Sequence, residues 1–308
     1  MAVTLPSQLH VFVRDWLSGN NIVLRSADGH VVIDSGYVKH VPLTLALVAS
    51  RQGLDGDALA WLINTHCHSD HMGGNAALKR AYGCRIALPM GEVPLVREWD
   101  QRALLLADAG QRAERFEVDE ALVPGTMRRW GDLDWRLIAA PGHDMAALLF
   151  FNDAHGILIS GDALWADGFG FVMPPDMDPD ALPATRATLD TIASLPVRVV
   201  IPGHGEPFTD HAGALERAYR RLEAFEAQPA RLARHAVKVL VTFALLDRER
   251  MTLDALTTFV DTVPLVREFN ERHLQKSPGS LAAWLVDELT RAGVASLERG
   301  ELAPRARG

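Results

Sequence analysis

The sequence predicts an α+β chain in two parts, with strands and helices mixed over residues 1–210 and a helical part over residues 211–308. Three observations predict it. Short apolar or alternating runs, broken by glycine, asparagine and aspartate, recur through the first two-thirds. Several of these runs end in glycine followed at once by a histidine or an aspartate. After about Phe208 the strand signal fades and the apolar spacing becomes helical.

Residues 10–13, 21–25 and 31–34 read as strands separated by Ser18-Gly19-Asn20 and Ala27-Asp28-Gly29 turns. Residues 41–51 have helical spacing, 59–65 read as a strand, and 75–82 as a helix stopped by Gly83. A strand over 84–88 and a helix over 92–114 follow, the helix with charges on one side and Leu104, Leu105 and Leu106 on the other. A repeated arrangement comes next. The strand at 135–140 runs into Pro141-Gly142-His143, that at 157–160 into Gly161-Asp162, and that at 197–201 into Pro202-Gly203-His204. The earlier strand at 59–65 runs directly into His66. Sheets that carry helices build sites where such strand ends converge. Beyond, residues 211–227 read as a helix broken at Gln228-Pro229. Helices over 231–247, 253–259, 263–273 and 280–292 and a short hairpin over 293–302 complete the chain.

Composition narrows the function classes. With 308 residues, one large domain plus a smaller one is the expectation. A 48% hydrophobic share supports a sizeable core and argues against disorder. The net charge of −8 speaks against a nucleic-acid partner, which would call for a basic face. Two cysteines, Cys67 and Cys84, are too few for a disulfide scaffold. No run reaches the roughly 18 apolar residues of a membrane span, and the first nine residues lack a leader's basic and apolar regions. A cytoplasmic protein acting on a small molecule, with neither nucleic acid nor membrane as partner, is the expectation; a homodimer is an open reading.

The stretch Thr65-His66-Cys67-His68-Ser69-Asp70-His71-Met72-Gly73-Gly74 is the most informative. Four metal-capable side chains, His66, His68, Asp70 and His71, fall within six residues. Imidazole nitrogen and carboxylate oxygen are donors for zinc and similar divalent ions. So many polar groups crowded at the end of an apolar strand desolvate one another at a cost that a cation offsets. A solvated polar loop is the bland alternative, and the tight Gly73-Gly74 turn argues against it.

These residues closely resemble the His-x-His-x-Asp-His signature of the metallo-β-lactamase superfamily. His143, Asp162 and His204 follow in the family's order, and Asp34 in Val-Ile-Asp-Ser-Gly matches its structural aspartate. The resemblance covers roughly residues 10–210. It implies a four-layer αβ/βα sandwich with two divalent ions at one edge, zinc first, with iron and manganese suited by the same donors. It assigns His66, His68 and His143 to one ion, Asp70, His71 and His204 to the other, and Asp162 to both. Two such ions share a hydroxide as nucleophile and polarise the substrate oxygen, with Asp70 orienting the hydroxide.

Aspartate at 162, where lactamases of this fold often carry cysteine, looks like the hydroxyacylglutathione hydrolases (glyoxalase II) and the superfamily's phosphodiesterases. The run His143-Asp144-Met145-Ala146-Ala147 departs from the Thr-x-Gly-His that follows the third-motif histidine in many thioester hydrolases, which puts glutathione specificity in doubt. The resemblance therefore implies hydrolysis of an ester-like bond, thioester or ester ahead of phosphodiester. A mononuclear iron persulfide dioxygenase and a ligand-binding regulatory protein of the same fold are the competing readings. The helical part resembles the helical or winged-helix-like extensions of such hydrolases, which close over the metal edge; dimerisation or plain stabilisation stands beside that.

Other residues carry less. Cys67, between two ligands in an extended segment, points the opposite way and reads as a small buried filler. Cys84 reads as a core strand residue. Trp165 and Phe169, in the aromatic loop after Asp162, either line a substrate pocket or pack beneath the loop. Arg217, Arg220 and Arg221 read as a solvated helical face, and His10, His30, His40, His155, His211, His235 and His273 as surface or turn residues.

Overall fold

The computed structural model describes residues 3–305. The leader reading begins on Met1 and Ala2, which lie outside the described residues. Six strands, β1 (Leu9–Phe12), β2 (Asn21–Leu24), β3 (His30–Ile33), β4 (Leu59–Ile63), β5 (Arg85–Pro89) and β6 (Glu120–Leu122), form one sheet in that spatial order. β1, β2 and β3 pair antiparallel, and the pairs from β3 to β6 are parallel. The second sheet holds β7 (Met127–Trp130), β8 (Leu133–Ala139), β9 (Leu148–Asn152), β10 (Ile157–Gly161) and β11 (Val199–Pro202), with only the β10–β11 pair parallel.

The two sheets face each other over a core that includes Ile22, Ile33, Ile63, Trp135, Phe150, Ile159 and Ile201. The outer face of the first sheet packs on α1 (Val41–Ala49), α3 (Asn75–Tyr82) and α4 (Glu92–Glu98), through Val48, Leu78 and Val96. A one-turn helix, α2 (Ser69–Met72), precedes α3. The outer face of the second sheet packs on α5 (Ala181–Ser194) and α6 (His211–Ala227), through Leu189, Ile192 and Leu222. This is the expected four-layer sandwich. Strand period explains it locally: in β9, Leu148 and Phe150 point to the inner core while Leu149 and Phe151 point to the helices. Burial on both faces makes such strands continuously apolar instead of alternating.

The remainder comprises α7 (Pro229–Arg248), β12 (Met251–Thr252), α8 (Leu253–Thr262), α9 (Pro264–Phe269), α10 (Pro278–Arg291), β13 (Ala295–Glu298) and β14 (Glu301–Pro304). The hairpin expected at 293–302 is present, and β12 adds to β14 to make a three-stranded antiparallel sheet. Met251 and Thr252 are too short a run to read as a strand from sequence. These elements enclose their own core around Val237, Leu256, Phe269 and Leu285. Leu105, Ala109, Phe171, Met173 and Met177, from two loops of the sandwich, also pack on it. Lys39 Nζ donates to the carbonyls of Leu246 and Asp247 at the end of α7, a favourable place for a cation. Among the described residues no helix is long and apolar enough to cross a membrane.

One long element departs from expectation. The helix predicted over 92–114 ends at Glu98, where Trp99 turns left-handed at φ 60°. Leu104 and Leu106 are buried in the core beneath α3 and α4, whereas Leu105 packs against the C-terminal core. A single helix face serves one core, so a segment that supplies two neighbouring cores leaves the helix. Strand β9 and helix α5 carry no separate expectation; their apolar runs lie between the motif segments.

Candidate metal centre

Four strand ends and one short helix converge on the site. β4 delivers Asn64 and Thr65, then His66 and His68; α2 carries Asp70 and His71. β8 leads to His143, β10 to Asp162 and β11 to His204. Two glycines allow the approach. At Gly142, φ is +144°, and a Cβ would stand 2.4 Å from Thr185 Oγ1. At Gly203 a Cβ would stand 2.1 Å from Asp162 Oδ1. Any side chain there would displace the loop or the carboxylate.

The seven expected donors come together in two groups. His66, His68 and His143 form one, and Asp70, His71, Asp162 and His204 the other, with the donor atoms of each group within 4.8 Å of one another. Asp162 faces both: its Oδ2 is 3.4 Å from His143 Nε2, and its Oδ1 is 3.4 Å from His71 Nε2. His68 Nδ1 lies 2.7 Å from His143 Nε2. His204 Nε2 lies 3.1 Å from Asp70 Oδ2 and 3.8 Å from Asp162 Oδ2.

The imidazoles are anchored from behind. His71 Nδ1 is 2.8 Å from Asp34 Oδ2, His66 Nδ1 is 3.0 Å from Thr65 Oγ1, and His143 Nδ1 bonds the carbonyl of Phe171. Asp34 also accepts from the Thr65 N–H and hydroxyl. It holds this post with a left-handed backbone, φ 58°, the sort of strain that accompanies function. The Nε2 atoms of His66 and His71 are buried without a hydrogen-bond partner. A buried orphan nitrogen is costly in a native fold unless a ligand takes it, and a histidine held at its far nitrogen is how proteins prepare a metal ligand. The residues present therefore fit a pair of divalent ions.

Electrostatics agree with the donor chemistry. Burial first, then the neighbouring His71, His68 and His143, holds His66 well below its usual range. Burial and then His143 bring His68 down to about 4. Both are thus kept neutral with a lone pair available. Burial opposes charge on Asp162, but His71 and His204 outweigh it and hold the carboxyl well below the usual range. For His71 burial again opposes charge, and Asp162, Asp34 and Asp70 together overcome it, raising its pKa well above normal. Buried anionic oxygen thus surrounds this group and favours positive charge within it.

Other expectations fare unevenly. Trp165 is half-buried at the site; its Nε1–H donates to Asp162 Oδ1 at 3.1 Å. Phe169 packs beneath the loop: its ring is 2% exposed and lies against Phe225 under α6. Arg217 and Arg221 are also not a plain solvated face: they donate to the carbonyls of Ala166 and Phe169 and pin the loop. Arg220 pairs with Glu216 on the surface. His30 lies buried in β3 beside Asp57, and His273 pairs with Asp176. Cys67 is buried among Leu62, Met72 and Leu88, away from the donors, and burial and then Glu92 raise its thiol well above normal. Cys84 is likewise a core residue.

Three residues near the site escape sequence reasoning. Glu92, buried at the start of α4, bonds the Asp144 carboxyl and accepts from the Cys67 N–H; burial and then Asp144 raise its pKa well above normal. Asp144 Oδ2 stands 3.9 Å from His68 Nε2. Its place directly after His143 was the available signal. Trp16 stacks on His204 with ring centroids 5.4 Å apart and planes 3° from parallel, and nothing in its local sequence announces this.

Comparison with known proteins follows from this geometry. Residues 14–204 match the family model described as the metallo-beta-lactamase superfamily. A hydroxyacylglutathione hydrolase of Methylococcus capsulatus is 31% identical over 144 residues, 44% of this chain and 49% of that protein. One from Xanthomonas axonopodis pv. citri is 28% identical over 229 residues, 72% of this chain and 75% of that one. The chain spans about half the length of the first curated relatives it matches. A motif mutant of a metallo-beta-lactamase from Cronobacter sakazakii aligns with TM-score 0.58 and 20% identity, over 74% of this chain and 96% of that one. A metallo-beta-lactamase family protein of Thermus thermophilus aligns with TM-score 0.55 and 20% identity, over 98% of this chain and 100% of that one. The structural likenesses, at that identity, speak to the fold alone. With its ligand order, its sandwich and a family model matched over well more than half its length, the chain belongs to the metallo-beta-lactamase superfamily.

Proposed function

We propose that this chain is a metal-dependent hydrolase of an ester-like bond, thioester or ester, working with two divalent ions, zinc first. One observation carries the reading: two groups of buried donors face a single carboxylate, Asp162, and the buried Nε2 atoms of His66 and His71 lack a hydrogen-bond partner. The hydroxyacylglutathione hydrolases among the relatives support a thioester bond. His66, His68 and His143 would hold one ion, Asp70, His71 and His204 the other, and Asp162 both. Such ions acidify water and polarise a carbonyl oxygen.

The chain's own residues do the rest. Asp34 and Thr65 fix the rings of His71 and His66, so the donor geometry is ready before substrate arrives. Asp70, with burial opposed by His71 and His204, stays anionic, and its carboxylate would orient the attacking water or hydroxide by accepting its hydrogen bond. The loop at 165–169, pinned by Arg217 and Arg221, closes one side of the site with Trp165. The helical part, which packs on the Phe171–Met177 side of the loop bonded to His143, would shape the entrance.

The test joins metal analysis to a substrate panel of thioesters, esters, lactones and phosphodiesters. Two ions per chain with turnover of thioester or ester is the expected result. Phosphodiester turnover alone would reassign the bond. One ion, with oxygen uptake on a persulfide, would replace hydrolysis by a dioxygenase.

A further inference from the structure

We propose that Glu92 is a positioning residue for the first donor group: from the start of α4 it ties together the two loops that carry His66, His68 and His143, and it backs the ring of His68 through Asp144. The inference rests on the two-metal reading and adds the group that sets one of the two sites. Three ligand rings have an anchor at the nitrogen turned from the site: Asp34 for His71, Thr65 for His66 and the Phe171 carbonyl for His143. In His68 the nitrogen that meets His143 is Nδ1, so Nε2 is the far one. The carboxylate beside it is that of Asp144, with Oδ2 at 3.9 Å. An outer carboxylate in that place fixes the orientation of a ligand ring.

Glu92 holds that carboxylate in place. Asp144 Oδ1 accepts from the Ala146 N–H at 2.7 Å, which ties it to its own loop, and Glu92 adds a bond from outside the loop. Glu92 also accepts from the N–H of Cys67, the residue between His66 and His68. One side chain therefore spans both ligand-bearing loops. The backbone packing agrees. At Gly91, directly before Glu92, a Cβ would stand 2.8 Å from the Ala146 Cβ, so the turn into α4 sits against the loop after His143. An acid in the first turn of a helix is ordinarily satisfied at the surface by the helix end. Glu92 is instead 2% exposed. Burial of a carboxyl is costly unless its bonds are complete, so these partners hold it at one place.

The experiment measures stepwise zinc affinity by chelator competition in the parent, Glu92→Leu, Glu92→Gln and Asp144→Ala proteins. Glu92→Leu is expected to weaken one ion about 10–100-fold, the scale for loss of a group behind a ligand, and to leave the other within about threefold. In a His204→Ala background, which keeps the first group whole, the remaining ion should weaken by the same factor. Glu92→Gln should return the weakened ion to within about threefold of the parent, because an amide both accepts from Cys67 and donates to Asp144. Asp144→Ala, at a side chain 15% exposed, should weaken the same ion and decides the matter if Glu92→Leu does not fold. Equal weakening of both ions, a Gln variant as poor as the Leu one, or unmoved affinity in Glu92→Leu or Asp144→Ala overturns the proposal. A parent that binds no divalent ion brings down the two-metal reading and this inference with it. Two ions in the parent with unmoved variants bring down this inference alone.

Discussion

The sandwich and the helical last third bury side chains to different ends. Among the described residues, every buried polar or charged side chain lies at or before His204. The C-terminal core, from Ala236 to Leu302, is apolar throughout. Burying a carboxylate or an imidazole costs several kcal/mol unless partners offset it, so a fold keeps such groups where they act. The sandwich edge carries that cost at Asp34, Glu92 and Asp162. The helical part carries little of it, at the partly buried His235 of α7, and supplies packing, including the side chains that steady the loops at 105–109 and 171–177. Chemistry and support are thus divided along the chain.

The division breaks first under a core truncation. Phe269 is fully buried at the centre of the helical core. Phe269→Ala is expected to cost about 3–5 kcal/mol, read by denaturant unfolding, while elemental analysis of the folded protein still finds the parent's metal content. Loss of metal along with stability would show that the two regions are not divided.

The opposite change strikes chemistry and spares the fold. Asp162→Ala removes the one carboxylate facing both groups and should lower turnover at least about 100-fold, the scale for loss of an aimed electrostatic group, with one ion lost. Asp162→Asn should do nearly as much harm, since it keeps shape without charge. Cys67→Ala, buried beside the ligands but turned from them, is the control and keeps most activity. Near-normal rates and two ions in Asp162→Ala would end the shared-carboxylate assignment.

A smaller effect is expected one step behind the donors. Asp34→Asn suits the left-handed backbone at φ 58° but removes the charge facing His71 Nδ1. Metal affinity should fall about 10–100-fold in chelator competition, with little change in unfolding temperature. An unchanged affinity would make Asp34 merely a backbone clamp for Thr65.

The smallest effect lies between the regions, at His235 of α7, whose ring meets Phe225. Burial first, then Arg221, Lys238 and Arg231, lowers its pKa to about 4. The unfolded chain binds this proton near pH 6.5, so between about 6.5 and 4 the unfolded state holds more protons than the native one. Stability is therefore complete above about 6.5 and falls as pH drops toward 4. Replacing His235 by Gln should flatten that limb by about 1–2 kcal/mol, discounted for the ring's residual solvent contact. An acid limb of unchanged slope would remove His235 from the account.

What the sequence by itself determined was local. Four donors within six residues, and His143, Asp162 and His204 each directly after a glycine at a strand's end, are legible because strand, turn and ligand are neighbours in the chain. The same locality made α3 and the last hairpin readable, through Gly83 and the Gly293 and Gly300 turns. Tertiary structure alone decided the rest. Glu92 reaches Asp144, and Trp16 reaches His204 and Trp165, across gaps of many residues that no periodicity records. Residues 99–110 left their helical pattern because two cores claim their neighbouring leucines. Phe169 turned into the core while Trp165, four residues earlier, faced Asp162. Which face a side chain takes in such a loop is set by what stands opposite it, and that is a property of the assembled fold.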